Sequence, residues 1–196
     1  MLQLPGVKKM SLIRQKRLNW LFFWVVSLLL FCTSSCSHKP DPVPTWNFAP
    51  GGIRLTYTAD KLLNRVGDKS HTLVLTIHQM NDPNPFKRLA RYEEGLRKLL
   101  EGRGADPTIT AVQKFFVEPG ESRTLVLDRV ENSKWIGVAA GYYSLDPDKV
   151  VKVFEIPFAV ESKGFISKER VAKVPPFNVD LILGPESIQV QEKPTK

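Results

Sequence analysis

Few side chains in this sequence are placed to do covalent chemistry, and the most telling of them is a thiol. Cys36 follows a basic leader (Lys8, Lys9, Arg14, Lys16, Arg17), an apolar run from Trp20 to Phe31, and the small residues Thr33, Ser34 and Ser35. That order is the pattern of a bacterial secretory signal ending at a cysteine whose sulfur accepts a diacylglyceryl group. The run is 12 residues long, which suits a signal h-region and falls well short of the ~20 needed to span a bilayer. Thr33 stands where the signal peptidase usually meets leucine. Cys32 is the rival acceptor, but the bulky Phe31 directly before it makes it the poorer one. A Cys32–Cys36 disulfide in an ordinary secreted protein is the other reading. It would put the bridge inside the signal region, and no third cysteine exists to pair with either. Met10 is an alternative start.

The search for catalytic groups is mostly negative. The three histidines are His38, His71 and His78. The last two bracket one apparent strand seven residues apart, which turns them to opposite faces and prevents them from sharing a metal. The sequence contains no GxSxG elbow, glycine-rich phosphate loop, HExxH or CxxC. Its acidic residues read as solvated helix and turn positions. No enzyme, metal site or cofactor is expected, apart from the covalent acyl and diacylglycerol lipid on Cys36.

Cleavage before Cys36 leaves 161 residues, enough for one domain with its own core. The signal, residues 1–35, takes five of the 28 basic residues with it, so the net charge falls from +8 to about +3. No basic stripe with interleaved aromatics remains, which argues against nucleic acid as a partner. Residues 36–51 form a proline-rich tether in which Pro40, Pro42, Pro44 and Pro50 favour extended geometry. At ~3.1 Å per residue it reaches roughly 45 Å, less whatever Trp46 and Phe48 lose by packing on the domain.

Residues 52–191 read as a mainly β domain, with 192–196 a frayed tail. Ile53, Leu55 and Tyr57 alternate with Arg54, Thr56 and Thr58, and Leu73, Leu75 and Ile77 alternate with Thr72, Thr76 and His78. Further runs lie at 112–117, 123–127, 135–143, 150–156, 177–183 and 187–191, with turn residues such as Pro119-Gly120-Glu121 and Gly184-Pro185 between several of them. The pattern predicts a two-sheet antiparallel β-sandwich. One amphipathic helix is expected at 85–101, capped by Asn84 and ended by Gly102.

The connection from Asp60 to Ser70 is far longer than a common hairpin loop. It carries Leu62, Leu63 and Val66 among Asp60, Lys61, Asn64, Arg65, Gly67, Asp68 and Lys69. Apolar side chains on a projecting loop need a cover. A partner protein would supply one, with the leucines as anchors. The loop folding back on the sandwich would supply another, and composition alone favours that second reading.

Taken together, the segments IRLTYTADKLLN, HTLVLTIHQMNDPNPF, VEPGESRTLVLD and KWIGVAAGYYSLD resemble the type VI secretion lipoproteins of the TssJ (VasD/SciN) family. The more specific marks are Gln79 with Asp82 and Phe86, Pro119-Gly120-Glu121, and Gly137 to Ala140 before Tyr142. The resemblance implies a transthyretin-like sandwich without enzymatic activity, held by lipid at the outer membrane and facing the periplasm. Ser37 after the cysteine agrees with outer-membrane sorting. It further implies a structural role, in several copies, within the membrane complex of the secretion apparatus. The first inter-strand loop would contact the periplasmic part of an IcmF/TssM-type inner-membrane protein. That shifts the balance for Asp60 to Gly67 toward a partner-binding loop. A different class of function also fits a lipid-anchored sandwich: binding a small ligand or carbohydrate by stacking on Trp46, Trp135, Tyr142 and Tyr143.

Overall fold

The computed structural model describes residues 41–102, 106–163 and 169–191. The signal, Cys32, Cys36, residues 192–196 and Phe165 to Lys168 of the insert-like stretch lie outside the described residues. The strands are β1 (Ala49–Ala59), β2 (Leu73–Met80), β3 (Ile109–Val117), β4 (Ser122–Arg129), β5 (Trp135–Ala140), β6 (Val151–Glu155), β7 (Ala159–Lys163), β8 (Glu169–Lys173), β9 (Phe177–Leu183) and β10 (Ile188–Val190). The helices are α1 (Asn84–Leu89), α2 (Glu93–Glu101) and the single turn α3 (Pro147–Val150).

One sheet has the order β10-β9-β1-β4 and the other β3-β2-β5-β6, while β7 and β8 pair as a separate hairpin. The fold is the expected β-sandwich, with one feature that alternation cannot reveal: β1 and β9 run parallel, Ile53 opposite Phe177 through Ala59 opposite Leu183. Antiparallel neighbours can be joined by a short turn, whereas a parallel pair needs a long crossover, and here nearly the whole domain intervenes. Both sheets contribute to one core. β1 supplies Ile53, Leu55 and Tyr57, β2 supplies Leu73, Leu75 and Ile77, and β9 supplies Val179, Leu181 and Leu183. Each such side chain contributes about 1.5–3 kcal/mol relative to exposure. Gln79 ties the sheets together. Its Nε2 donates to the Asp128 carbonyl at 2.8 Å, and its Oε1 accepts from the Val130 amide at 2.9 Å.

β2 is covered on both faces, because α1 and α2 lie over the side that carries Thr76 and His78. The helices fit closely because β5 alternates the small Gly137 and Ala139 with Ile136, Val138 and Ala140. A Cβ at Gly137 would stand only 2.7 Å from Phe86 Cζ. The single helix expected at 85–101 is in fact two. Tyr92 is extended (φ −145°, ψ 154°), and the first turn of α2 sits against the last residue of α1, where a Cβ at Gly95 would meet the Leu89 carbonyl oxygen at 2.0 Å. Asn84 is inside α1 and not its cap, although Asp82 Oδ1 accepts from the Asn84 amide at 2.9 Å. In α2, Glu93 pairs with Arg97 at 2.5 Å and Glu94 with Lys98 at 2.8 Å, each a turn apart.

The expected tether is shorter than its composition suggests. β1 begins at Ala49, and residues 41–48 are strapped to the domain. Asp41 pairs with Arg170 at 2.5 Å, the Asn132 amide donates to the Trp46 carbonyl at 2.8 Å, and Arg129 Nη2 donates to the Asn47 carbonyl at 3.2 Å. The Arg129 guanidinium lies 5.7 Å from the centroid of the Trp46 ring.

Candidate functional site

Four connections meet at the end of the sandwich opposite the strap: 60–72, 118–121, 141–150 and 184–187. The first is organised by Asp60. Its amide donates to the Leu183 carbonyl at 2.8 Å, and its carbonyl accepts from Leu63 at 3.0 Å and from Gly120 at 3.1 Å. Its Oδ1 takes the Leu62 amide at 2.7 Å, an Asx turn that sends the chain outward and back. Further along, the Arg65 amide donates to the Pro185 carbonyl at 3.0 Å, and the His71 amide to the Leu63 carbonyl at 3.0 Å. The tip is a tight turn closed by reciprocal hydrogen bonds between Val66 and Lys69, with Gly67 at φ 61° where a side chain would be strained.

The two leucines of this loop part company. Leu63 is fully buried in the core, so its side chain is not presented as an anchor for a partner, which corrects the part that the resemblance implied for it. The fold-back reading holds for that residue, because its side chain is worth more under the sandwich end than in water. Leu62 is 43% exposed, Val66 is half-buried, and Lys61, Arg65, Gly67, Asp68 and Lys69 are exposed. Arg65 Nη2 reaches Glu186 Oε1 at 3.3 Å, an exposed pair of small energetic weight.

Asn64 stitches the loop to its neighbours. It sits at φ 50°, donates from Nδ2 to the Thr72 carbonyl at 3.1 Å, and accepts the Tyr143 amide on Oδ1 at 2.8 Å. Tyr143 is 80% exposed beside it, whereas Tyr142 is buried, donates its hydroxyl to the Ser187 carbonyl at 2.9 Å and has its ionisation pushed well up by burial. A cleft of about 230 Å³ lies between Asn64, Arg65, Tyr143, Pro185 and Glu186. The 118–121 turn is braced by Glu121, whose carboxylate accepts from the Glu118 amide at 2.9 Å and from the Tyr57 hydroxyl at 2.7 Å. Those contacts hold the Glu121 carboxyl below its usual range, while burial and the Glu121 contact raise the Tyr57 phenol to about 12. Tyr143 and Glu186 join this surface unannounced by any local pattern, because they lie 79 and 121 residues from their loop partners.

Among the described residues no group of three or more His, Cys, Asp or Glu could hold a metal ion. His78 is a core residue, its Nε2–H directed to the Leu99 carbonyl at 3.2 Å and its ring edge-on to Phe86 at 5.1 Å. Burial lowers its pKa to about 4. The four aromatics proposed to stack on a sugar are split between the two ends. Trp46 bonds to Asn132 and Trp135 opens β5 at the strap end, whereas Tyr142 and Tyr143 follow the end of β5. No single ring could bridge them. What remains is a stiff, tied loop that presents a mixed apolar and charged surface.

The profile of the type VI secretion lipoproteins (VasD, EvfM, TssJ) matches residues 52–171. The chain belongs to that family. Among solved structures it is similar to Serratia marcescens Lip, described as a membrane-bound component of the type VI secretion system. The identity there is 15%, the TM-score 0.55, and the match covers 72% of this chain and 97% of that one. It is also similar to the type VI secretion lipoprotein TssJ1 of Pseudomonas aeruginosa, with 19% identity, a TM-score of 0.50, and coverage of 78% and 100%. A further match, titled as the TssM C-terminal domain from EAEC, has 17% identity, a TM-score of 0.53, and coverage of 72% and 98%. At these identities the solved structures speak for the fold. No curated protein matches in sequence. The family assignment makes the chain a type VI secretion lipoprotein.

Proposed function

We propose that the protein is acylated on Cys36, sits in the outer membrane facing the periplasm, and docks the periplasmic part of an IcmF/TssM-type inner-membrane protein through the loop Asp60 to Gly67. The observation that carries this reading is the bonding of the loop. It is fixed by Asp60, Asn64 and Arg65 to three neighbouring connections, so it is presented in one conformation. A loop already ordered in the free protein loses less entropy on binding. Exposed Leu62 supplies the apolar contact, with Arg65 and Lys61 around it, and Leu63 holds the loop from below. The strap and the loop lie at opposite ends of β1, whose 11 residues span roughly 30 Å. A lipid at the N-terminal side therefore leaves the loop pointing toward the periplasm. Several copies around one complex would add avidity.

Capture on an immobilised periplasmic region of the IcmF/TssM-type protein tests the docking step. Leu62→Glu combined with Arg65→Glu should weaken capture at least tenfold while the melting temperature holds, and unchanged capture by the folded double variant defeats the loop assignment. Labelled palmitate on the Cys36→Ala protein defeats the choice of acceptor and points to Cys32.

A further inference from the structure

The strap end carries an apolar surface that the domain itself leaves uncovered. Residues 43–47 form neither helix nor strand. Pro44 is buried and Trp46 packs inward, while Val43 is 86% exposed and Thr45 and Asn47 face solvent. Phe48 is 57% exposed. The same end holds Phe158, 47% exposed in the link from β6 to β7. Backbone bonds join these pieces: Asn132 to Trp46, and Ile156 to the Lys134 carbonyl at 2.8 Å. The charges nearby are mixed, exposed Lys134 standing against exposed Glu131 and Glu155, so the surface is not a basic patch.

The length of chain outside the strap says what covers it. If Cys36 carries lipid, a reading on which this inference rests, only Ser37 to Pro40 separate the acylated residue from Asp41. Even fully extended, that stretch reaches at most about 18 Å. The domain is thus held close to the leaflet by the end that bears Val43, Phe48 and Phe158. Side chains of this kind lose unfavourable hydration on entering the boundary between headgroups and acyl chains. We propose that the strap end is a membrane-contact surface: Val43, Phe48 and Phe158 enter the interfacial layer of the leaflet that holds the acyl chains and set the sandwich upright. The contact is apolar and does not depend on anionic lipid.

The test uses the full chain, processed and extracted in detergent, then reconstituted in vesicles of phosphatidylethanolamine and phosphatidylglycerol. An environment-sensitive fluorophore is placed at Thr45→Cys on the strap and, separately, at Tyr143→Cys at the loop end. The strap label should shift to the blue and be quenched by nitroxide-bearing lipid, in low and high salt alike, and the loop label should do neither. Adding Val43→Ser, Phe48→Ser and Phe158→Ser should return the strap label to its aqueous spectrum with acylation and melting temperature unchanged. Lipid present in the intact mass with both labels reporting water overturns this inference alone. Absence of the lipid mass overturns it together with the Cys36 assignment. A blue shift that needs no vesicles and grows with protein concentration assigns the surface to a second copy of the chain and overturns it as well.

Discussion

Asn64 accepts the backbone amide of Tyr143 on its side-chain oxygen at 2.8 Å, joining two loops that lie 79 residues apart in sequence. The same side chain holds the Thr72 carbonyl, and its backbone sits at φ 50°, a region asparagine tolerates better than most residues. The loop is therefore rigid because one residue meets a backbone and a side-chain requirement together. Asn64→Gly keeps the backbone conformation and deletes both bonds, at about 1–2 kcal/mol. Hydrogen exchange of the Tyr143 amide should accelerate in that variant. An unchanged rate would mean that the loop is ordered by something other than this contact.

Much of this arrangement could be read in advance, and the failures have physical causes. Alternation placed β1, β2, β4 and β9 well, since their inward residues are the apolar half of a period-two pattern. Alternation is silent on pairing partners, so the parallel β1–β9 contact was invisible, and it says little about a hairpin as polar as β7–β8. The helical stripe from Phe86 to Leu100 continues in phase across a break, so periodicity alone reads one helix. The extended backbone at Tyr92 and the close approach at Gly95 reveal two. In the loop, Leu62 and Leu63 are chemically the same, and what separates them is an Asx turn at Asp60, which composition does not encode.

Gly137 is one point where the helical cover touches the second sheet. Gly137→Ala puts a methyl group 2.7 Å from the Phe86 ring, which must move or strain the sheet. Overpacking of this kind costs about 1–3 kcal/mol. The melting temperature should fall, and Phe86→Leu, destabilising by itself, should cost less in the Gly137→Ala background because the smaller side chain makes room. Strictly additive effects in the double-mutant cycle would show that the two positions do not press on one another.

His78 gives the protein a defined acid sensitivity. Its folded pKa of about 4 lies below the ordinary value of 6.5, burial being the cause. Between those two values the unfolded chain binds the proton that the core refuses. The stabilisation is complete above pH 6.5 and is lost as pH falls toward 4. The protein should be about 2 kcal/mol less stable at pH 5 than at pH 7 on this account. The Glu121 carboxyl, held low by the Glu118 amide and the Tyr57 hydroxyl, loses its support only below the ordinary glutamate range, so its contribution falls in a separate window. Urea unfolding at the two pH values should show the loss in the wild-type chain and a much flatter response in His78→Gln. Equal pH dependence in both would assign the effect to other groups.

Leu62 and Leu63 make the sharpest test, because neighbouring identical residues are expected to fail in opposite ways. Leu63 is fully buried, so Leu63→Ala removes core contacts and leaves a void, at about 2–5 kcal/mol. Leu62 is 43% exposed and its amide, not its side chain, makes the loop hydrogen bond to Asp60. Leu62→Glu should therefore change stability by less than about 0.5 kcal/mol. In the docking assay the order reverses. The Leu62 variant should lose most of its capture of the periplasmic partner at full stability, while Leu63→Ala, assayed well below its lowered melting temperature, should still be captured. Equal loss in both, or loss only in the Leu63 variant, would mean that the partner reads the integrity of the sandwich end and makes no contact with the projecting leucine.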